Sequence, residues 1–153
     1  MKAIFVESLN GYLAKGPNDD MSWTPKLDKK IFKLLSFALG GVYFCSKRTF
    51  NLLPEVMTTD PNRHFEIVDH HYNNDDWYLA SKLFSNAVVL GGPTFLKAVY
   101  DKGLIDTFII TTTLETIQGT PGYENPFTEI LKTWTCVCET TLKNMIIKVY
   151  KNE

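Results

Sequence analysis

Apolar residues come in short blocks along this chain, and the blocks alternate between two periods. Residues 3–6 form an apolar run too short for a helix and read as a first strand. A loop of turn formers follows, with Asn10-Gly11 and then Gly16-Pro17-Asn18-Asp19-Asp20. From Thr24 the period becomes that of a helix. Thr24 is the expected N-cap and Pro25 the first helical residue, where its missing N–H costs nothing. At about 100° per residue, Leu27, Ile31, Leu34, Leu35 and Ala38 share one face, with Lys29, Lys30 and Lys33 opposite. Asp28 sits at the edge of that apolar arc, and Gly40-Gly41 supplies the stop.

The alternation continues. Residues 42–45 are apolar throughout, as in a strand covered on both faces. Residues 54–63, with Pro54 and Pro61, read as a loop, and residues 65–68 as a third strand. Asp75-Asp76 is placed to cap a helix through Trp77, Leu79, Leu83 and Phe84. Residues 87–90 are a buried-type strand. Residues 93–102 form a helix with Leu96, Val99 and Tyr100 inward, stopped by Gly103. Residues 107–113 are β-rich, a Gly/Pro loop spans 119–126, and residues 134–141 and 145–150 read as two strands joined around Leu142-Lys143-Asn144. The fold class implied is α/β: a central, mostly parallel sheet with helices on both faces and an antiparallel C-terminal edge.

With 153 residues, 44% of them hydrophobic and 13% aromatic, one sizeable core can form, so a single domain over 1–153 is expected. The net charge of −1 and the lack of a basic run argue against nucleic acid. No apolar run approaches the ~20 residues of a membrane span. The apolar run before Glu7 is too short for a secretory signal. Three cysteines with no Cys-x-x-Cys pair suggest buried or half-buried thiols in a reducing cytosol.

Three stretches are candidates for chemistry. Asp28 is either a solvated surface acid or the polar handle of an apolar pocket. Val88-Val89-Leu90-Gly91-Gly92-Pro93-Thr94-Phe95 runs from a buried strand through two glycines into a helix start, a place for a phosphate. Ser46-Lys47-Arg48-Thr49 puts two cations and hydroxyls at a strand end, where they form either a phosphate clamp or an ordinary surface turn. His70-His71 beside Asp69 lacks a third ligand at defined spacing and reads as surface loop.

Taken together, the Asn-Gly turn, the Met21, Trp23, Asp28, Phe32 spacing, the Lys-Arg-Thr-Phe segment and Gly91-Gly92 resemble dihydrofolate reductase over essentially the whole chain. Residues 8–14 and the stretch from Gly91 to Asp106 look more like the reductase domain of riboflavin biosynthesis and its uncharacterised bacterial and phage relatives. The resemblance implies a cytoplasmic, NADPH-dependent oxidoreductase, monomeric or homodimeric, that reduces dihydrofolate to tetrahydrofolate. The alternatives are a pyrimidine-type substrate or a non-catalytic nucleotide- or folate-binding module. It assigns Asp28, Trp23 and Thr111 to catalysis, with Trp23 holding a water by its indole N–H. Phe5, Val6, Phe32 and Leu53 are assigned to the substrate ring, and Lys33 and Arg63 to a folate glutamate tail. Ala14, Met21, Lys47, Arg48, Thr49, Gly91, Gly92, Pro93, Thr94, Phe95 and Thr120 are assigned to the cofactor, and residues 16–22 to a mobile lid. Glu7, Ser46, Pro93 and Leu96 depart from the pattern of dihydrofolate reductase, as in a divergent member. An acid among apolar walls is desolvated, so the pKa of Asp28 is expected to rise.

Overall fold

A computed structural model of the chain describes residues 1–152. Seven strands and five α-helices follow in the order β1 (Lys2–Glu7), α1 (Lys26–Ala38), β2 (Val42–Ser46), α2 (Lys47–Leu52), α3 (Glu55–Thr58), β3 (His64–Val68), α4 (Asn74–Leu83), β4 (Val88–Leu90), α5 (Pro93–Asp101), β5 (Thr107–Thr113), β6 (Thr135–Leu142) and β7 (Met145–Lys151) among the described residues. The strands make one sheet in the order β3-β2-β4-β1-β5-β7-β6. Pairing is parallel from β3 to β5 and antiparallel at β5–β7 and β7–β6.

Strand alternation sorts the core into two clusters. Ala3, Phe44, Val89 and Phe108 face α4 and α5, while their neighbours Ile4, Tyr43, Val88 and Ile109 face α1 and α3. Helices therefore cover both faces, as the strand pattern predicts. The first cluster is aromatic: Phe108 packs on Phe127 at 4.6 Å and on Trp134 at 4.9 Å between ring centroids. Such pairs add about 0.5–1.5 kcal/mol each beyond area burial.

Four local expectations are corrected. The cap of α1 is Pro25, and the Thr24 hydroxyl instead donates to the Met21 carbonyl at 2.8 Å. The helix is also rolled by roughly a quarter turn, at about 100° per residue. Leu34 is 70% exposed and Ala38 is exposed, while Phe32, Leu35 and Leu39 pack inward. The roll is set by Tyr43, whose hydroxyl meets Ser36 Oγ at 2.6 Å and whose ring lies 6.4 Å from that of Phe32. The expected loop at 54–63 contains a short helix, α3, and the stretch before it forms another, α2. Finally, α4 is capped by Asn73, which exchanges hydrogen bonds with Asp76.

The cysteines also depart from expectation. Cys45 is buried, but Cys136 and Cys138 are exposed because β6 is the edge strand, open along nearly its whole length. A bulge pairs Cys136 with Tyr150 and Cys138 with Val149, which puts the two thiols on opposite faces. Burial raises the Cys45 thiol to about 11, so it stays neutral and unreactive. A thiol reagent should label two cysteines in the native protein and the third only after denaturation. Rapid native labelling of all three would contradict the packing of β2.

Candidate active site

Neighbouring strands β1 and β4 send their connections to opposite sides, β1 through α1 to β2 and β4 through α5 to β5. A crevice opens at the carboxyl ends of strands where the connections diverge. Here it is a cavity of about 940 Å³. Its walls are Phe5 and Val6 from β1, Thr111 from β5, Asp28, Ile31, Phe32 and Leu35 from α1, and Leu52 and Leu53 at the end of α2. Gly91, Gly92, Pro93, Thr94, Phe95 and Ala98 close one end with Arg48 and Thr49, and Ala14 and Met21 stand on the loop between β1 and α1. Thus most of the expected site residues line one space.

Asp28 is not at the edge of the buried arc of α1 but near its middle, because Phe32, Leu35 and Leu39 recur after it at helical spacing. Pairing of Val6 with Thr111 brings the threonine hydroxyl to the same wall. Burial raises the Asp28 pKa above the usual carboxylate value, opposed by the Thr111 hydroxyl and the Lys29 cation. Glu7 points away from this centre. Its carboxylate accepts from the Thr112 hydroxyl at 2.9 Å and from Asn125 Nδ2 at 2.8 Å.

The opposite end is suited to an anion. Gly92 is the N-cap of α5 and offers no side-chain cap, so the first-turn N–H groups of Thr94 and Phe95 have no intrahelical acceptor. A methyl group on Gly91 would fall 2.6 Å from the Phe95 ring, whereas one on Gly92 would meet nothing within 4 Å. Arg48 adds a positive charge beside them. Lys47 does not line the cavity. It is the first residue of α2, exposed, because Ser46 caps that helix by accepting from Thr49 N at 3.2 Å and turns the chain there.

Two loops close the third side. Asp19 accepts hydrogen bonds from Lys15 N at 2.7 Å, Met21 N at 2.9 Å and Trp23 Nε1 at 2.8 Å. Although burial opposes it, these bonds hold the Asp19 carboxyl below its ordinary pKa, the Lys15 bond contributing most. The indole N–H expected to hold a water is thus engaged by Asp19, and Trp23 does not line the cavity. Met21 adopts φ of 60°, a strained value for a side-chain-bearing residue. Thr120 also lies outside the cavity: its N–H and hydroxyl both donate to the Lys15 carbonyl, at 3.0 and 2.7 Å, and tie residues 119–123 to the first loop.

Neither expected tail-binding cation lines the cavity. Lys33 is exposed on the flank of α1. Arg63 has Nε 3.7 Å from Asp60 and its guanidinium over Phe37 at 5.1 Å and Tyr43 at 5.9 Å. The lining residues not singled out from the sequence include Asp19, Lys29 and Tyr123. Asp19 lay hidden in a run of turn formers and Tyr123 in a Gly/Pro loop. Only Lys29 carried a signal, as a cation adjacent to the candidate acid. His70 and His71 are exposed, and no group of three metal-ligating side chains occurs among the described residues.

No family model matches the chain, and no curated protein matches it. Solved structures do. Dihydrofolate reductase from Enterococcus faecalis, complexed with NADP(H) and RAB-propyl, is 18% identical with a TM-score of 0.68, over 99% of this chain and 95% of that one. A candidate riboflavin biosynthesis protein from Shewanella sp. PV-4 is 12% identical with a TM-score of 0.65, over 99% of this chain and 98% of the other. The chain has the dihydrofolate reductase-like fold, which both of these proteins share from end to end.

Proposed function

We propose that this chain is an NADPH-dependent reductase of a substrate that carries a pterin- or pyrimidine-type ring, with dihydrofolate to tetrahydrofolate as the first reading. The observation that carries it is Asp28: a half-buried acid with a raised pKa, beside Thr111, in a cavity whose far end is built for an anion. The residues at that end fit a dinucleotide. The uncapped start of α5 suits a pyrophosphate, and Arg48 with Thr49 suits the extra ribose phosphate that separates NADPH from NADH. NADPH, when bound, supplies the hydride.

The other roles belong to the chain. Phe32 on one side and Phe5 with Val6 on the other clamp a flat ring. Asp28 accepts hydrogen bonds from its exocyclic amino group and ring N–H, and Thr111 orients both partners. Because burial raises its pKa, Asp28 retains a proton further towards the neutral range and can promote protonation of the reacting nitrogen. The loop of residues 14–24 excludes water, and Trp23 serves that loop through Asp19.

A pyrimidine-type substrate is the second reading, favoured because Arg63 and Lys33 lie outside the cavity and leave a glutamate tail without its expected partners. Loss of NADPH absorbance, followed with dihydrofolate and with a ribosylaminopyrimidine, separates the two. Turnover with one ring is expected, with a preference for NADPH over NADH that Arg48→Met reduces about tenfold. Tight NADPH binding with no turnover of either ring would overturn the enzyme reading in favour of a silent binding module.

A further inference from the structure

Two carboxylates line the cavity among the described residues, Asp28 and Asp19, and they stand on different walls. Asp28 belongs to α1, whereas Asp19 belongs to the loop between β1 and α1. Their surroundings push them in opposite directions. Burial raises Asp28, while at Asp19 burial is outweighed by bonds from the Lys15 N–H, the Trp23 indole and the Met21 N–H. Asp19 is therefore the more firmly ionised of the two.

That charge is also fixed in place. Oδ2 accepts from Lys15 N and from Trp23 Nε1, and Oδ1 accepts from Met21 N. The donors lie on both sides of Asp19 in the chain, so the loop folds around the carboxylate. Met21 is held at a φ of 60°, and strain of this kind persists where the surrounding contacts over-determine it. Two carboxylate oxygens offer about four lone-pair sites, so these bonds leave some acceptor capacity free.

The ends of the cavity dictate where the reacting part of the cofactor must lie. With a pyrophosphate at the start of α5 and the substrate on Asp28, a hydride donor has to come within about 3–3.5 Å of the substrate. The nicotinamide then fills the space between those two ends. The loop that closes the third side faces that space, with Ala14, Asp19 and Met21 on the cavity wall.

We propose that Asp19 stabilises the positive charge that the nicotinamide ring acquires when it gives up hydride. This rests on the NADPH reading above and adds to it a residue that acts on the cofactor's charge. In that step the hydride leaves nicotinamide C4 with its electron pair and bonds to the substrate. The substrate also takes up one proton, and the nicotinamide passes from neutral to singly positive. A fixed anion on the wall favours the positive form, and does so more strongly in a mainly apolar cavity than in water. The three donors already hold the carboxylate, so no reorganisation is needed as the charge develops. Asp20, the next residue, is exposed and lies outside the cavity, where solvent screens it.

The test is calorimetric titration with three nucleotides: NADP+, NADPH, and the 2′-phosphate of ADP-ribose, which lacks the nicotinamide ring. Asp19→Asn keeps the size and an acceptor oxygen but removes the charge. It should weaken NADP+ about tenfold more than NADPH, and leave the ringless nucleotide within about twofold of its native Kd. Asp20→Asn, which removes a charge one residue away, should leave the native ratio of the NADP+ and NADPH constants unchanged. If Asp19→Asn weakens NADP+ and NADPH alike, or neither, the carboxylate only shapes the loop. The proposal then falls while the NADPH reading stands. An equal loss for the ringless nucleotide, or an equal shift in Asp20→Asn, overturns it in the same way. A native protein that binds none of the three overturns the NADPH reading and this proposal together.

Discussion

Asp28→Asn should lower turnover by about 10²–10⁴-fold, the usual contribution of a positioned acid or base, and at the same time make the protein more stable at neutral pH. The two effects share a cause. Burial raises the folded-state pKa of Asp28 above its unfolded value of about 3.9, so the native state holds this proton more tightly than the unfolded chain does. The stabilisation this brings is present at low pH and is lost as pH rises through the folded pKa, beyond which the native state carries a desolvated charge. Asparagine cannot ionise and escapes that loss. The carboxyls of Asp19 and Asp106, held below their ordinary pKa, push stability the other way with pH but do so in both proteins. Urea unfolding of the two proteins between about pH 4 and pH 8 should therefore show curves that diverge as pH rises, the variant above. Native-level turnover by the variant would remove Asp28 from the chemistry, and parallel stability curves would show that the acid is solvated.

Gly91→Ala should cost about 1–3 kcal/mol of stability and weaken NADPH binding, while Gly92→Ala should leave stability nearly unchanged. The added methyl at 91 would lie 2.6 Å from Phe95 Cδ1 and 3.0 Å from its Cβ. The ring has little room to yield, because it packs 6.0 Å from Phe44, and the Cβ is fixed by the helix. Relief therefore means moving the start of α5, the part of the cavity assigned to the pyrophosphate. At 92 no atom stands within 4 Å. Urea unfolding and NADPH titration of the two variants make the comparison, and equal stabilities would show that the strand-to-helix turn is looser than these distances imply.

How far the chain could be read in advance depended on whether the deciding contact was local. β2 and β4 were legible because strands covered on both faces form nearly unbroken apolar runs, and β5 because its Phe, Ile and Thr favour a strand. The roll of α1 was not, because periodicity shows which residues are apolar but not which arc a distant Tyr43 will select through Ser36. Edge position is equally silent: β6 has the composition of a strand, but the same composition serves an interior or an open edge, and its bulge has no glycine to announce it. In the site, Asp28 stood out as an acid at the edge of an apolar arc, whereas Phe32 and Thr111 were assigned only through the resemblance to dihydrofolate reductase. Trp23, Lys47, Arg63 and Thr120 each face a partner or a solvent exposure that only the folded chain reveals.

The divergence of connections at β1 and β4 bears on how such a protein can change over evolutionary time. The crevice there follows from strand order and the direction of two connections, not from the identity of any side chain. Substitutions can accumulate on its walls without closing it, provided the strands keep their neighbours. This is consistent with end-to-end likeness to solved structures at 12–18% identity. Selection on such a scaffold can retune one wall of the crevice without the others, because the walls come from different elements. Under drift the architecture persists, and the few polar residues on those walls record what it currently holds.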